Sequence, residues 1–183
     1  MPWLTLSVVT PLLLAGAMPL LPARPSRLPQ ALALAATAVS GVALVITWIR
    51  FDASRGMQLV EEATWVPSLD VAWRLGVDGM SLVLCLLTVV LFAASAAYGV
   101  GPRPMTRAAA AIILLLEGAT LAFFLAQDFF LFYIAFDVTL VAMYFLIALW
   151  GEERRRYAAL KFFLYTLIGS CLLYTSPSPR DRS

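Results

Sequence analysis

The stretch Phe129–Trp150, FFLFYIAFDVTLVAMYFLIALW, decides the fold, because Asp137 is its only charged residue. A helix needs about 20 predominantly apolar residues to cross a hydrocarbon core about 30 Å thick. The run is continuously apolar and lacks the strict alternation of a transmembrane barrel strand, which favours a helix. The stretch therefore predicts a membrane-spanning helix that carries an acidic group inside the bilayer.

Similar apolar blocks precede and follow this stretch. They lie at about 3–21, 28–49, 77–100 and 108–126, a sixth begins near residue 157, and a polar stretch at 50–73 separates the second block from the third. The chain is 62% hydrophobic and 13% charged, whereas soluble domains are about half apolar and a quarter charged. We therefore predict an all-α fold, a polytopic membrane helix bundle with about six transmembrane helices. No basic segment precedes the first block, which favours a retained span over a cleaved signal peptide.

The placement of the arginines predicts the orientation of the helices. One set of alternate loops carries seven arginines and the opposite set carries three. The seven are Arg24, Arg27, Arg103, Arg107, Arg154, Arg155 and Arg156, and the three are Arg50, Arg55 and Arg74. Because cytoplasmic loops are enriched in lysine and arginine, the first set is expected in the cytoplasm. The prediction is a multi-pass protein of the cell (inner) membrane with its N-terminus outside.

Charge and residue usage argue against several other classes of function. The net charge is +2 and the basic residues are scattered between apolar blocks, so nucleic acid is not an expected partner. The sequence contains no histidine, the commonest metal ligand. Its two cysteines, Cys85 and Cys171, lie far apart in apolar runs and form no metal-binding spacing. We therefore predict no metal site, and we expect the lipid bilayer to surround the helices.

Three ionisable side chains lie inside apolar blocks: Glu117, Asp137 and Lys161. Measured from the turn around Gln127 and Asp128, Glu117 and Asp137 both lie about 14–15 Å deep at 1.5 Å per residue, close to the bilayer midplane. Lys161 falls nearer the cytoplasmic side. A charge at the centre of a bilayer costs about 2.5–3.5 kcal/mol, so such residues are rare unless they are paired, hydrated or functional.

A buried carboxylate can take up or release a proton when its solvation or the position of a nearby charge changes. Desolvation favours its neutral form, and a nearby lysine favours its charged form. Glu117, Asp137 and Lys161 are therefore predicted to carry protons across the membrane.

Structural alternatives remain open for each of these three residues. Glu117 precedes Gly118 and could hydrogen-bond a neighbouring helix at a small-residue contact, Asp137 could be structural, and Lys161 could extend its ammonium group to the interface. Asp78 is expected to cap the third helix.

Four stretches carry a resemblance to a known family. They are LGVDGMSL at 75–82, LLLEG at 114–118, MYFLIALWG at 143–151 and YAALKFFLYT at 157–166. In this order they resemble subunit M of the bacterial NADH:quinone oxidoreductase (respiratory complex I), an antiporter-like membrane subunit. The resemblance implies a fourteen-helix protein with two inverted repeats, of which this chain holds about the first six spans. It also implies a division into a three-helix region at 1–107 and the incomplete start of the first repeat at 108–170.

The resemblance also implies roles for the buried residues. Asp137 takes the position of the family's buried glutamate on the fifth helix, Glu117 that of its acid on the fourth, and Lys161 that of a lysine. Aspartate is one methylene shorter, so the carboxylate is retracted from any partner. Ala142 stands where the family usually has proline, which predicts a straighter fifth helix.

The function implied is that of a proton-translocating subunit of NADH:quinone oxidoreductase, and thus of an enzyme complex. Its partners are the other membrane subunits, and it meets quinone and NADH only through them. No cofactor is expected in this chain, because it shows no cysteine array and no dinucleotide-binding glycine loop. Residues 171–183 are expected to be a non-native tail, and the chain to be an inactive N-terminal fragment. The alternatives are a cation/proton antiporter subunit, a membrane-bound hydrogenase subunit, and a non-catalytic structural fragment.

Overall fold

The computed structural model describes residues 2–21, 27–52, 56–66, 71–98 and 105–175. Within these ranges the chain forms six α-helices and one β-hairpin. In chain order the elements are α1 (Trp3–Ala17), α2 (Leu28–Arg50), β1 (Gln58–Val66), β2 (Val71–Val77), α3 (Gly79–Tyr98), α4 (Arg107–Leu125), α5 (Phe129–Trp150) and α6 (Arg155–Thr175). A short 3-10 turn, Met18–Leu20, extends α1.

The predicted membrane helix bundle is confirmed. The helices α2, α3, α4 and α5, together with α1 and its 3-10 turn, are long and apolar enough to cross a membrane. The sixth apolar block also forms a helix, α6, whose first two turns carry Arg155, Arg156 and Lys161. It continues to Thr175, and residues 176–183 of the expected non-native tail lie outside the described residues.

The chain divides into two compact units, Met1–Thr139 and Leu140–Ser183. In the first unit, α1 packs against α2 and α4, and α3 packs against α2 and α4. In the second unit, the Tyr144 ring meets the Phe163 ring of α6 edge-on, with 5.6 Å between the centroids. The domain boundaries predicted at 107 and 170 stay predictions.

Two apolar clusters fill the first unit at different depths. One cluster contains buried residues from α1, α2, α3, α4 and the second strand, and includes Leu4, Val8, Leu44, Leu75, Val77, Leu82, Leu121 and Leu125. The other includes Ala15, Met18, Ala33, Ala36, Ala96, Ala110 and Leu114. Along α4, Glu117 lies between Leu114 of the second cluster and Leu121 of the first. On α4 itself, Glu117 therefore has buried apolar residues on both sides.

Close contact between α1 and α4 depends on Gly118. A Cβ atom at this position would lie 2.7 Å from Leu12 Cγ and 3.2 Å from the Val8 carbonyl oxygen. Small residues at helix interfaces in membranes let backbones approach closely. The expected small-residue contact beside Glu117 is thus present, and α1 is the helix that makes it.

A β-hairpin occupies the polar stretch between α2 and α3, where the sequence analysis predicted no strands. Its two strands pair antiparallel, with Glu62 opposite Arg74, and these side chains form an ion pair at 2.5 Å. Glu61 accepts hydrogen bonds from the backbone N–H groups of Leu4 and Thr5 at 3.0 and 2.7 Å. The carboxylate therefore holds the first turn of α1, where unpaired N–H groups favour an anion.

The same hairpin contacts the turn between α4 and α5. The backbone N–H of Gln127 donates to the Arg74 carbonyl at 2.9 Å, and Leu75 forms an antiparallel bridge with Ala126. We call this side of the first unit, with the hairpin, the start of α1 and the α4–α5 turn, the hairpin end.

Asp78 caps α3, as the sequence predicts, because its Oδ1 accepts from the Ser81 backbone N–H at 2.8 Å. Hydrogen bonds from Ser81 lower the pKa of Asp78 below its ordinary value. A lowered pKa in the folded state means that the cap stabilises the fold above the ordinary aspartate range and loses this effect as the pH falls through the lowered value.

We expect Asp78→Ala to reduce the free energy of unfolding by about 1 kcal/mol at neutral pH, as for other lost N-caps. The loss should shrink as the pH is lowered. Thermal unfolding of the detergent-solubilised chain over a pH series measures both effects. Asp78→Asn is the matched control, since asparagine caps equally well but does not titrate. An alanine variant whose deficit is the same at every pH would contradict this role for the charge.

Candidate proton-exchange site

Glu117 on α4 is fully buried and only half satisfied. Its Oε2 accepts a hydrogen bond from the Thr37 hydroxyl on α2 at 2.7 Å. Its Oε1 is buried and has no hydrogen-bond partner. A buried polar atom without a partner is costly, and such atoms are concentrated where a structure serves chemistry. The carboxyl group therefore has one stabilised oxygen and one oxygen open to a proton or a water molecule.

The Thr37 hydroxyl suits both protonation states of Glu117. Besides Glu117, its Oγ1 lies 3.1 Å from the carbonyl oxygen of Ala33, one turn earlier on α2. A hydroxyl has one proton to donate and can also accept. Facing a carboxylate, Thr37 donates to Glu117. When Glu117 is a neutral carboxylic acid, the Thr37 oxygen can accept a hydrogen bond from the acid O–H and donate its own hydrogen to the Ala33 carbonyl oxygen. No heavy atom needs to move between these arrangements.

Two serines extend the polar groups around Glu117 towards α1. Ser40 donates from its hydroxyl to the Ser7 carbonyl oxygen at 2.9 Å, and Ser7 donates to the Leu4 carbonyl oxygen at 2.7 Å. All of these side chains are buried. We call Ser7, Thr37, Ser40 and Glu117 the polar layer. It joins three helices at the depth where the two apolar clusters meet.

Asp137 lies at the depth that the sequence predicts relative to Glu117. Glu117 precedes the end of α4 at Leu125 by the same eight residues by which Asp137 follows the start of α5 at Phe129. Eight residues of helix span about 12 Å. Asp137 is partly buried, and its Oδ1 is buried with no hydrogen-bond partner.

The two acids are not joined to each other. Within the described part of the chain, the hydrogen bond of Glu117 goes to α2, and none is formed by Asp137 Oδ1. The α4–α5 contact is instead aromatic: the Phe123 ring lies 4.7 Å from the Phe132 ring and 5.8 Å from the Phe136 ring, between centroids. Glu117 therefore faces α2, and aromatic rings pack α4 against α5.

Lys161 belongs to the second compact unit and lies on α6. Its side chain is exposed, and its Nζ lies 5.8 Å from the centroid of the Tyr165 ring. A lysine over an aromatic face at this distance is attracted to the ring. In the described residues, no group of three or more histidine, cysteine, aspartate or glutamate side chains is placed to hold a metal ion.

Thr37 was missed by the sequence analysis, although its pattern is visible there. The buried polar residues of α2 are Gln30, Thr37, Ser40 and Thr47. They are spaced by seven, three and seven residues, which places them on one face of a helix. The hydroxyl groups on this face of α2 could have indicated that it packs against a polar group on another helix.

Comparison with known proteins shows what this bundle is similar to. Residues 126–177 match the family model described as NADH:quinone oxidoreductase/Mrp antiporter, TM. Over 180 residues the chain is 38% identical to the NAD(P)H-quinone oxidoreductase chain 4 1 of Picosynechococcus sp., a match that covers 96% of this chain and 33% of that protein. Residues 126–177 carry the domain of this family, and the chain as a whole is similar to its antiporter-like membrane subunits. The resemblance predicted from its motifs is confirmed.

Solved structures share the fold of this antiporter-like chain. A chain of respiratory complex I from Thermus thermophilus with bound NADH is 27% identical to it, with a TM-score of 0.73 over 91% of this chain and 33% of that one. A chain of the Mrp complex from Dietzia sp. is 23% identical, with a TM-score of 0.76 over 94% of this chain and 18% of that one. The antiporter-like chain spans about a third of the length of the curated relatives it matches.

Proposed function

We propose that this antiporter-like chain serves in a proton-translocating subunit of an energy-converting NADH:quinone oxidoreductase. Glu117 supports the proposal most strongly, because it is fully buried in a membrane bundle and its Oε1 has no partner. A carboxyl group in hydrocarbon is costly unless it is used. The polar groups around Glu117 accommodate both its charged and its neutral form, which a proton carrier requires.

In the proposed cycle the chain moves protons and leaves the redox chemistry to its partners. Burial favours the neutral form of Glu117, and the Thr37 hydroxyl at 2.7 Å stabilises the charged form. A small electrostatic change from a neighbouring subunit can therefore shift the balance between the two forms. We assign proton transfer to Asp137 and Lys161 as well, with no cofactor in this chain. Quinone and NADH would bind to partner subunits.

We place the protein in the cell (inner) membrane with the N-terminus, and hence the hairpin end, outside. The seven-to-three distribution of arginines between alternate loops supports this orientation. The other membrane subunits of the complex are the proposed partners.

A second candidate is a cation/proton antiporter subunit, which the similarity in fold to the Mrp complex chain keeps open. A membrane-bound hydrogenase subunit is a further possibility within the same architecture. The neighbouring genes discriminate among these candidates. Quinone-oxidoreductase genes on either side support the first proposal, and antiporter or hydrogenase genes support the alternatives.

We expect Glu117→Gln to lower redox-coupled proton pumping several-fold in the assembled complex. Glutamine keeps the size of the side chain and can still accept from Thr37, but it cannot carry a proton. The measurement is proton uptake into inverted membrane vesicles, with NADH oxidation followed in parallel. Glu153→Gln is the matched control, because Glu153 is exposed in the turn between α5 and α6. Unchanged pumping in Glu117→Gln would leave only a structural role for this acid.

A further inference from the structure

We propose that Glu117 exchanges protons with the hairpin end of the bundle, along the seam between α1 and α2. The hydroxyl groups of Ser7, Ser40 and Thr37 are the hydrogen-bonding stations of this route. The inference rests on the proposed function only in taking Glu117 as a group that exchanges protons.

The route begins in an open cavity of about 410 Å³ at the hairpin end. Among its lining residues are Trp3, Thr47, Arg50, Glu61 and Glu62, which combine acidic, basic and hydroxyl groups. A water molecule occupies about 30 Å³ of liquid, so the cavity holds several. Polar, roomy cavities of this kind are filled with water.

From the cavity, a column of polar groups leads inward along α1. The Glu61 carboxylate accepts from the Leu4 N–H at 3.0 Å, and the Leu4 carbonyl accepts from the Ser7 hydroxyl at 2.7 Å. Ser7 is completely buried. The first two turns of α1 therefore carry polar groups from the cavity to the depth of the polar layer.

The column then crosses to α2 and reaches the acid. The Ser7 carbonyl accepts from the Ser40 hydroxyl at 2.9 Å. Thr37 lies three residues before Ser40 on α2, so the two hydroxyl groups share one face of the helix. Thr37 donates to Glu117 at 2.7 Å. Each neighbouring pair in the column is thus joined by a hydrogen bond or by one helical turn.

On α2, the buried polar side chain beyond Thr37 in the opposite direction is that of Gln30. The apolar cluster that includes Ala33, Ala36, Ala110 and Leu114 lies on this side of Glu117. Gln30, two turns beyond Thr37 on α2, donates its amide to the Ala96 carbonyl at 2.9 Å. The described residues therefore give Glu117 a polar connection on the hairpin side and an apolar cover on the other.

Because peptide groups relay protons poorly, the proposed transfer takes place when water enters the seam and bridges the hydroxyl groups. Serine and threonine both donate and accept, which lets them hold water in either orientation. A hydronium ion in the cavity passes its excess proton along this water to the Glu117 carboxylate. The products are one neutral carboxylic acid and one water molecule in the cavity, so atoms and charge balance without any oxidant or reductant.

Infrared spectroscopy of the chain in vesicles of phosphatidylethanolamine and phosphatidylglycerol tests this route without a measurement of proton pumping. The carboxyl band of Glu117 is assigned by its loss in Glu117→Gln, and its proton exchange is followed after a pH jump. We expect Thr37→Val and Ser40→Ala to slow exchange by about fivefold, the equivalent of one lost hydrogen bond. Thr37→Ser and Ser40→Thr, which keep the hydroxyl, should exchange near the rate of the parent chain.

Thr88→Val is the matched control. Thr88 is a buried threonine on α3 that donates to the Leu84 carbonyl of its own helix at 2.8 Å, and it lies outside the column. Exchange in Ser40→Ala and Thr37→Val as fast as in Thr88→Val would overturn the route, as would faster exchange from the side opposite the hairpin. Unchanged pumping in Glu117→Gln would contradict the proposed function. Slowed proton exchange in Ser40→Ala would support the route even in that case.

Discussion

Asp137→Asn is expected to abolish redox-coupled proton pumping, reducing it to the background of uncoupled membranes. Asparagine matches aspartate in size and remains compatible with an apolar helix, so the change removes the titrating group and little else. The Asp137 Oδ1 atom is buried without a hydrogen-bond partner. No contact of that oxygen is therefore lost, and a pumping defect reports on the missing charge.

The measurement compares proton uptake with electron transfer in the same vesicles. Asp128→Asn is the control for a general effect on the α4–α5 turn, because Asp128 accepts from the Phe130 N–H at 2.8 Å and asparagine keeps such a cap. Asp137→Glu restores the longer side chain expected at this position from the family resemblance, and it should retain pumping. Full pumping in Asp137→Asn would remove Asp137 from the proposed pathway.

Gly118→Val is expected to prevent stable folding of the chain in the membrane. A Cβ atom alone would lie 2.7 Å from Leu12 Cγ and 3.2 Å from the Val8 carbonyl oxygen, so Leu12 must be displaced, and the bulk of valine also pushes against the α1 backbone. Overpacking a tight interface by a single methyl costs about 1–3 kcal/mol, and the two further methyl groups of valine add to it. Moving α1 also separates Ser7 from Ser40, which dismantles the polar layer around Glu117.

The yield of folded protein after detergent extraction measures this effect, together with the unfolding midpoint of whatever folds. Gly118→Ala should fall between the parent chain and Gly118→Val. Gly16→Ala is the matched control, since Gly16 is a helical glycine of α1 and a Cβ there meets nothing within 4 Å. If Gly118→Val were as stable as Gly16→Ala, the close approach of α1 and α4 would not matter to the fold.

The helices and the depth of the acids could be predicted because both depend on local sequence: the helices on the length of the apolar blocks, and the depth on the number of residues from the turn. Five of the predicted blocks became helices long and apolar enough to span a membrane. The distance of Glu117 and Asp137 from the turn follows from the helical rise. The cap at Asp78 was also predictable, because capping is a contact between residues three apart in sequence.

The partner of Glu117 and the hairpin could not be predicted in the same way. Lipid-embedded helices are apolar on most faces, so composition does not tell which face of α4 meets α2. Thr37 is eighty residues away from Glu117 in sequence. The hairpin strand QLVEEATWV at 58–66 lacks a clear alternation of apolar and polar residues, and its pairing with β2 includes register shifts. Long-range packing decides both features.

The hairpin also has a mechanical consequence for the bundle. Glu61 grips the start of α1 through two backbone N–H groups, and Arg74 on the second strand holds the Gln127 N–H in the α4–α5 turn. The two strands are hydrogen-bonded to each other, so the hairpin links the start of α1 to the α4–α5 turn at the end of the first unit. A tilt of α5 that begins at this turn therefore pulls on α1 through these hydrogen bonds and the Glu61 side chain. The hairpin thus couples the first helix to the helix that carries Asp137.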